Sequence, residues 1–135
     1  MVKTSKYIIR DVCWADHLDV CRLIDFVDLP KSQFIKNAPE ETMRIILHER
    51  SICIWEEDDM VAVVLVTNDN YIDTIISTRK GYGSLLLEHL PTGAYTAHVS
   101  PLNKASIRMF RRAGFSEYGH AVISKQKRYI YAGRL

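Results

Sequence analysis

The chain has 135 residues, 47% of them hydrophobic and 25% charged, with 18 lysines and arginines against 16 aspartates and glutamates. That length supports one continuous core rather than two, so 1–135 is expected to be a single domain. The composition excludes a disordered or collagen-like chain, and a formal charge of +2 is too small to mark a polyanion-binding surface on its own.

No apolar run approaches the roughly 20 residues that span a bilayer, and Lys3, Lys6 and Arg10 interrupt the N-terminal stretch, which does not read as a signal peptide. The cysteines, Cys13, Cys21 and Cys53, are odd in number and lack CxxC spacing, which favours neither a disulfide framework nor a cysteine zinc site. A reducing, cytoplasmic setting without a membrane partner is therefore expected.

In chain order, Tyr7-Ile8-Ile9-Arg10 is a β-rich first strand. Asp16 then caps a helix whose Val20, Leu23, Ile24 and Val27 repeat on one face, up to a stop at Leu29-Pro30. Around Pro39-Glu40-Glu41 a second helix begins, with proline where a first turn tolerates it and carboxylates where the helix dipole favours them. Met43, Ile46 and Leu47 are its expected buried stripe. From residue 51 the period becomes extended. Ile52–Trp55 and Val61–Val66 are strands joined by the polar turn Glu56-Glu57-Asp58-Asp59. The second is apolar throughout, as in a strand covered on both faces. Tyr71–Ile76 is a further strand, Ser84–Leu90 a short helix ended by Pro91, and Ala94–Val99 a strand. Ser100-Pro101 reads as cap and first turn of a helix carrying Ile107 and Phe110, with Gly114 where a left-handed C-terminal residue belongs. Two extended runs, Glu117–Ser124 and Arg128–Ala132, close the chain. The order β, α, α, β, β, β, α, β, α, β, β predicts an α+β fold with a mixed, mostly antiparallel central sheet flanked by about four helices.

The segment richest in chemistry is Ser77-Thr78-Arg79-Lys80-Gly81-Tyr82-Gly83-Ser84. Glycines in a turn that opens a helix leave backbone N–H groups uncovered, and such donors seat a phosphate or diphosphate. Arg79 and Lys80 add positive charge. A loop using glycine for positive φ beside solvated basic residues would look the same. The Walker spacing and its Lys-Ser/Thr are absent, and a third glycine for a dinucleotide fingerprint is missing.

Thr78-Arg79-Lys80-Gly81-Tyr82-Gly83 resembles the Q/R-x-x-G-x-G/A acyl-CoA signature of the GNAT superfamily of N-acetyltransferases. The run Asn103 to Phe115, with Ser106, Ile107, Phe110 and Gly114, is similar to the family's N-x-x-A/S-I-x-L-Y-x-x-x-G-F helix, and Ile8-Ile9-Arg10 before a helix is similar to its opening. The resemblance implies a GNAT-like acyl-CoA N-acyltransferase fold with acetyl-CoA as acyl donor. It further implies that Ile75, Ile76 and Ser77 contact the pantetheine arm, which runs between the fourth and fifth strands. Arg79, Lys80, Gly81, Tyr82, Gly83 and Ser84 would then contact the diphosphate, with Asn103 and Ser106 beside the arm or adenosine. The sequence departs from the pattern at Thr78, in place of glutamine or arginine, and at Phe110, in place of the tyrosine that many members use to protonate the leaving thiolate. Phenylalanine has no exchangeable proton.

Acyl transfer to an amine needs a base for the amine and a donor for developing negative charge. Asp73 is a candidate base if it faces the cleft, and a solvent-facing strand residue if it does not. His98 is a candidate proton relay, or a histidine satisfied within the sheet. Ser100 is expected to act as a helix cap, and the cysteines as structural thiols. No Ser-His-Asp order, HExxH motif or metal-ligand spacing appears. Lys104, Arg108, Arg111 and Arg112 form one basic group and Lys125, Lys127 and Arg128 another; read as solvated faces, they disfavour nucleic acid as a partner.

The expected activity is transfer of an acetyl group from acetyl-CoA to an amine by direct attack in a ternary complex, with the acceptor bound mainly by residues 25–50 and the last two strands. The alternative is a catalytically inactive module of the same fold that binds acyl-CoA, or a protein or nucleic-acid partner. Either would be a monomer or a homodimer.

Overall fold

The computed structural model describes residues 6–27, 39–46, 50–123 and 125–135. The described strands are β1 (Ile8–Asp11), β2 (Ile52–Glu56), β3 (Asp59–Val66), β4 (Tyr71–Ser77), β5 (Ala94–Val99), β6 (Ser116–Ile123) and β7 (Gln126–Arg134). The described helices are α1 (His17–Phe26), α2 (Pro39–Ile46), α3 (Tyr82–Glu88) and α4 (Lys104–Arg112). The strands form one sheet in the order β1-β2-β3-β4-β5-β7-β6. Its pairs are antiparallel except β4–β5, which is parallel. The α+β expectation therefore holds, strand for strand. None of the described helices is long and apolar enough to cross a membrane.

The apolar run Val61–Val66 is buried along its whole length, because helices cover both faces of β3. Val63 and Leu65 pack with Val20, Leu23 and Ile24 of α1 and Ile45 and Ile46 of α2. Ala62, Val64 and Val66 pack on the opposite face with Leu86 and Leu87 of α3 and Phe110 of α4. Each such aliphatic side chain contributes about 1.5–3 kcal/mol on leaving water, so β3 is the spine on which both layers depend.

Three local expectations change. Asp16 stands at the N-cap position of α1 but its side chain caps no α1 amide: it ends a 3-10 turn, Trp14–Asp16, with helical φ and ψ, and its carboxylate takes the Arg10 guanidinium through two hydrogen bonds of 2.8 Å. The Arg10 hydrogen bonds, reinforced by the Cys13 amide, outweigh burial and hold the Asp16 carboxyl down at about 2. The pair ties edge strand β1 to the start of α1, and Arg10 also lies over the Trp55 ring at 5.2 Å. In α2 the buried residues are Thr42, Ile45 and Ile46, not Met43; Leu47 lies outside the described residues, as do Leu29 and Pro30. Ser100-Pro101 does not start α4. Ser100 is buried in the preceding turn, where its Oγ accepts from the Leu102 amide at 3.1 Å. The cap is Asn103, whose Oδ1 accepts from the Ser106 amide at 3.1 Å.

Candidate active site

The sheet is not closed everywhere. β3 and β4 pair as far as Ala62↔Ser77, whereas β4 and β5 pair only at Tyr71↔Thr96 and Ile72↔Ala97. Beyond Ile72 the two parallel strands part. At the same level the β3–β4 register slips: Leu65 faces Thr74 and Val66 faces Ile72, so Asp73 is the extra residue of a bulge. A bulge bends its strand and re-aims the side chain it leaves over. The bend coincides with the separation from β5.

The separation opens into a small solvent-connected cleft with a cavity volume of about 60 Å3, lined by Asp73, Ile75, His98, Asn103, Ser106 and Phe110 among others. Strands β4 and β5 supply the walls and α4 the floor. Phe110 is buried, its ring 5.2 Å from that of Phe115 and 6.4 Å from that of Tyr131. It presents an apolar surface to the cleft and no proton. The Asp73 carboxylate accepts from the Thr74 hydroxyl at 2.8 Å.

His98 has a partner that the sequence did not point to. Its Nδ1 lies 3.1 Å from the Tyr71 hydroxyl, with the two rings 5.0 Å apart. Burial, assisted by the Asp73 charge, pushes the Tyr71 phenol up to about 12, so it stays protonated. Burial also lowers the His98 pKa, which favours the neutral imidazole. No local pattern in the chain singles out Tyr71; it meets His98 only because β4 and β5 pair at that one place.

The loop from β4 to α3 stands at the end of the cleft wall. Thr78 extends the β4 pairing, its amide and hydroxyl both donating to the Val61 carbonyl at 2.9 and 3.0 Å. Ser77 closes the turn: its hydroxyl donates to the Arg79 carbonyl at 2.5 Å and accepts from the Arg79 amide at 3.1 Å. The Arg79 side chain pairs with Glu56, Nε to Oε1 2.7 Å, fastening the loop to the β2–β3 hairpin. Gly81 takes φ +87°, and a side chain there would meet no atom within 4 Å. Gly83 is glycine for another reason: a Cβ would come within 2.6 Å of the Met109 sulfur on α4. Among the described residues, the amides of Lys80, Gly81, Gly83 and Ser84 have no backbone acceptor, as expected where a helix opens.

The predicted site residues thus fall into three places. Asp73, Ile75, His98, Asn103, Ser106 and Phe110 share the cleft. Residues 79–84 form the loop. Ile76 belongs to neither, since its side chain packs in the core beneath α1 and α2. The C-terminal basic group does not form one surface: Lys125 and Lys127 are exposed, but Arg128 is only 4% exposed. Tyr131 is fully buried and Tyr129 half-buried, so both pack within the fold. Of the expected acceptor-binding stretch, 28–38 and 47–49 lie outside the described residues.

No family model matches the sequence, and no curated protein matches it significantly. Solved structures do. Ard1 from Thermoplasma volcanium superimposes with a TM-score of 0.78 at 15% identity, covering 96% of this chain and 97% of that one. Arabidopsis thaliana Naa50, in complex with the bisubstrate analogue CoA-Ac-MVNAL, gives 0.76 at 16% identity over 98% of this chain and 100% of that one. The diaminobutyrate acetyltransferase EctA from Paenibacillus lautus, in complex with L-2,4-diaminobutyric acid and coenzyme A, gives 0.75 at 15% identity over 97% and 96%. The chain has the fold of the GNAT N-acetyltransferases.

Proposed function

We propose that this chain, having the GNAT fold, is an N-acetyltransferase that takes its acyl group from acetyl-CoA and passes it to an amine. The observation that carries this reading is the parting of β4 from β5 beyond Ile72, next to a loop with open amides. A strand edge without a neighbour offers N–H and C=O groups to an extended, amide-bearing ligand. The open space over Gly81 and the unpartnered loop amides suit a diphosphate, with Lys80 as nearby charge. Arg79 is less suited to the role, because Glu56 already holds it. In this reading residues 80–84 hold the diphosphate, Ile75 and the β4 edge guide the pantetheine arm, and Asn103 and Ser106 flank it from α4. When bound, acetyl-CoA supplies an activated acyl thioester.

The chain's own part is to deliver a neutral amine. The Tyr71 hydroxyl can donate to His98 Nδ1 or accept from Nδ1–H through an oxygen lone pair; in the tautomer where it accepts, Nε2 keeps its own lone pair and serves as base at neutral pH. Asp73 is the second candidate, close enough to influence Tyr71 electrostatically. A thiolate is a good enough leaving group to depart without the proton that Phe110 cannot give. Direct attack is favoured over an acyl-cysteine route because no cysteine lines the cleft.

Calorimetry with acetyl-CoA, followed by a thiol-release assay over a panel of amines, tests the reading. Binding with amine-dependent release supports it. Binding without release favours a coenzyme-holding module, the reading that Phe110 keeps open. Absence of binding removes both.

A further inference from the structure

Three titratable side chains stand on three neighbouring strands of the sheet: Asp73 on β4, His98 on β5 and Arg128 on β7. Asp73 and His98 line the same cleft. Ala97 and Val99 pack in the core beneath α3 and α4, as does Tyr131 with Tyr129 against it. Alternation therefore turns His98 and Arg128 to the opposite face of the sheet. His98 pairs with Ile130 and Val99 with Tyr129, which makes Arg128 the diagonal neighbour of His98, about 7–8 Å away at Cα. A long side chain spans that gap. Lys127 is turned the other way, with its Nζ 6.0 Å from the centre of the Tyr129 ring, so the charge directed to the face of His98 is that of Arg128.

Arg128 is buried, and its Nη1 donates to the Lys127 carbonyl at 2.8 Å. Its charge is felt at the site. Burial pushes the Tyr71 phenol up, with Asp73 adding to the rise and Arg128 opposing it, and that phenol is the group 3.1 Å from His98 Nδ1. A charge shielded from water acts on a ligand more strongly than an exposed one, and a guanidinium presents a fork of donors that matches a carboxylate. Across the three strands the order is negative, neutral base, positive. A free amino acid carries the complementary order, its ammonium and carboxylate one carbon apart. A polyamine or a lysine side chain would instead bring positive charge towards Arg128.

We propose that the acceptor is a small amine carrying its own carboxylate, as a free amino acid does, and that Arg128 is the residue that selects it. The inference rests on the acyltransferase reading and names its acceptor class. As the C–N bond forms and the thioester C–S bond breaks, the electron pair leaves on sulfur and the amine proton passes to His98 Nε2. Arg128 holds the carboxylate meanwhile.

Thiol release from acetyl-CoA, measured over free L-amino acids and over the corresponding amino acid amides, tests the inference. Amides hold more neutral amine at neutral pH, so intrinsic reactivity favours them. The protein should reverse that order, with kcat/KM for the best free amino acid about 10–100-fold above its amide, the worth of hydrogen bonds to a charged group. Arg128→Gln should raise KM for the free amino acid by the same factor and leave kcat and the amide reaction as they were. Arg128→Lys should restore part of the loss. Should Arg128→Gln fail to fold, the preference in the parent and in Arg128→Lys decides. Equal use of acids and amides overturns the inference, as does an acid preference that survives Arg128→Gln. So does a panel in which no carboxylate-bearing amine is acetylated. Release with other amines would in that case leave the acyltransferase reading standing, whereas failure to bind acetyl-CoA removes both.

Discussion

Strands β1 to β4 and the β4–β5 junction treat the same kind of backbone in opposite ways. In the first region each strand is paired along nearly all its length, and its side chains fill the cores on both faces. At the junction only two residues of each strand are paired, and the rest border open space. The difference follows from connection. β3 and β4 are joined by four residues, Thr67–Asn70, as antiparallel neighbours allow. β4 and β5 are parallel, so the chain must cross over through α3 before β5 begins. The crossover lets the strands diverge, and the bulge at Asp73 bends β4 where they do. Packing is concentrated in the closed region, and the junction is where the proposed function puts the chemistry.

Substitutions should separate along that line. The largest effect is expected at the loop. Gly81→Glu projects a carboxylate into the open space over the loop amides and should reduce acetyl-CoA affinity below calorimetric detection. Its left-handed φ adds a stability cost of about 1–2 kcal/mol, readable by urea unfolding. Retained affinity would remove the proposed diphosphate seat. Next, His98→Ala should lower kcat by about 10²–10⁴, the usual worth of a positioned base, with little change in melting temperature. Burial favours the neutral, active imidazole, so in the parent protein the acid limb of kcat should lie below the ordinary 6.5. A decline that begins above that value would point to another base.

In the closed region the outcome reverses. Leu65→Ala, at a fully buried position between β2, β4 and the α1 layer, should cost about 2–5 kcal/mol in urea unfolding while acetyl-CoA affinity stays as it was. A large loss of affinity from that change would show that the two regions are coupled. The smallest effect is expected from Phe110→Tyr, which should fold like the parent and modestly raise thiol release by restoring a hydroxyl at the cleft floor. A drop of several degrees in melting temperature would show instead that the ring is sealed from the cleft by Phe115 and Tyr131.

Much of this was legible before folding was considered. The apolar run Val61–Val66 announced a strand covered twice, and Gly114 does adopt the left-handed φ, +94°, at the end of α4. The glycine loop was legible too, although only half of the reason: Gly81 needs its φ, whereas Gly83 makes room for Met109, a residue about one helix away. Elsewhere, local pattern misled. The period of α2 allowed a stripe at Met43 as readily as one at Thr42 and Ile45, and packing against α1 and β3 chose the latter. Ser100 had the chemistry of a cap but fell one turn early, leaving the role to Asn103.

What the sequence determined by itself was the succession of elements and the open loop, because periodicity, turn residues and glycine act over a few neighbours. Only the tertiary structure decided that Asp73 would be the extra residue of a bulge, that Tyr71 would reach His98, and that the Arg79 side chain would be held by Glu56. The bulge depends on how two neighbouring strands pair, and the other two contacts join residues well separated along the chain, which only the assembled sheet brings together.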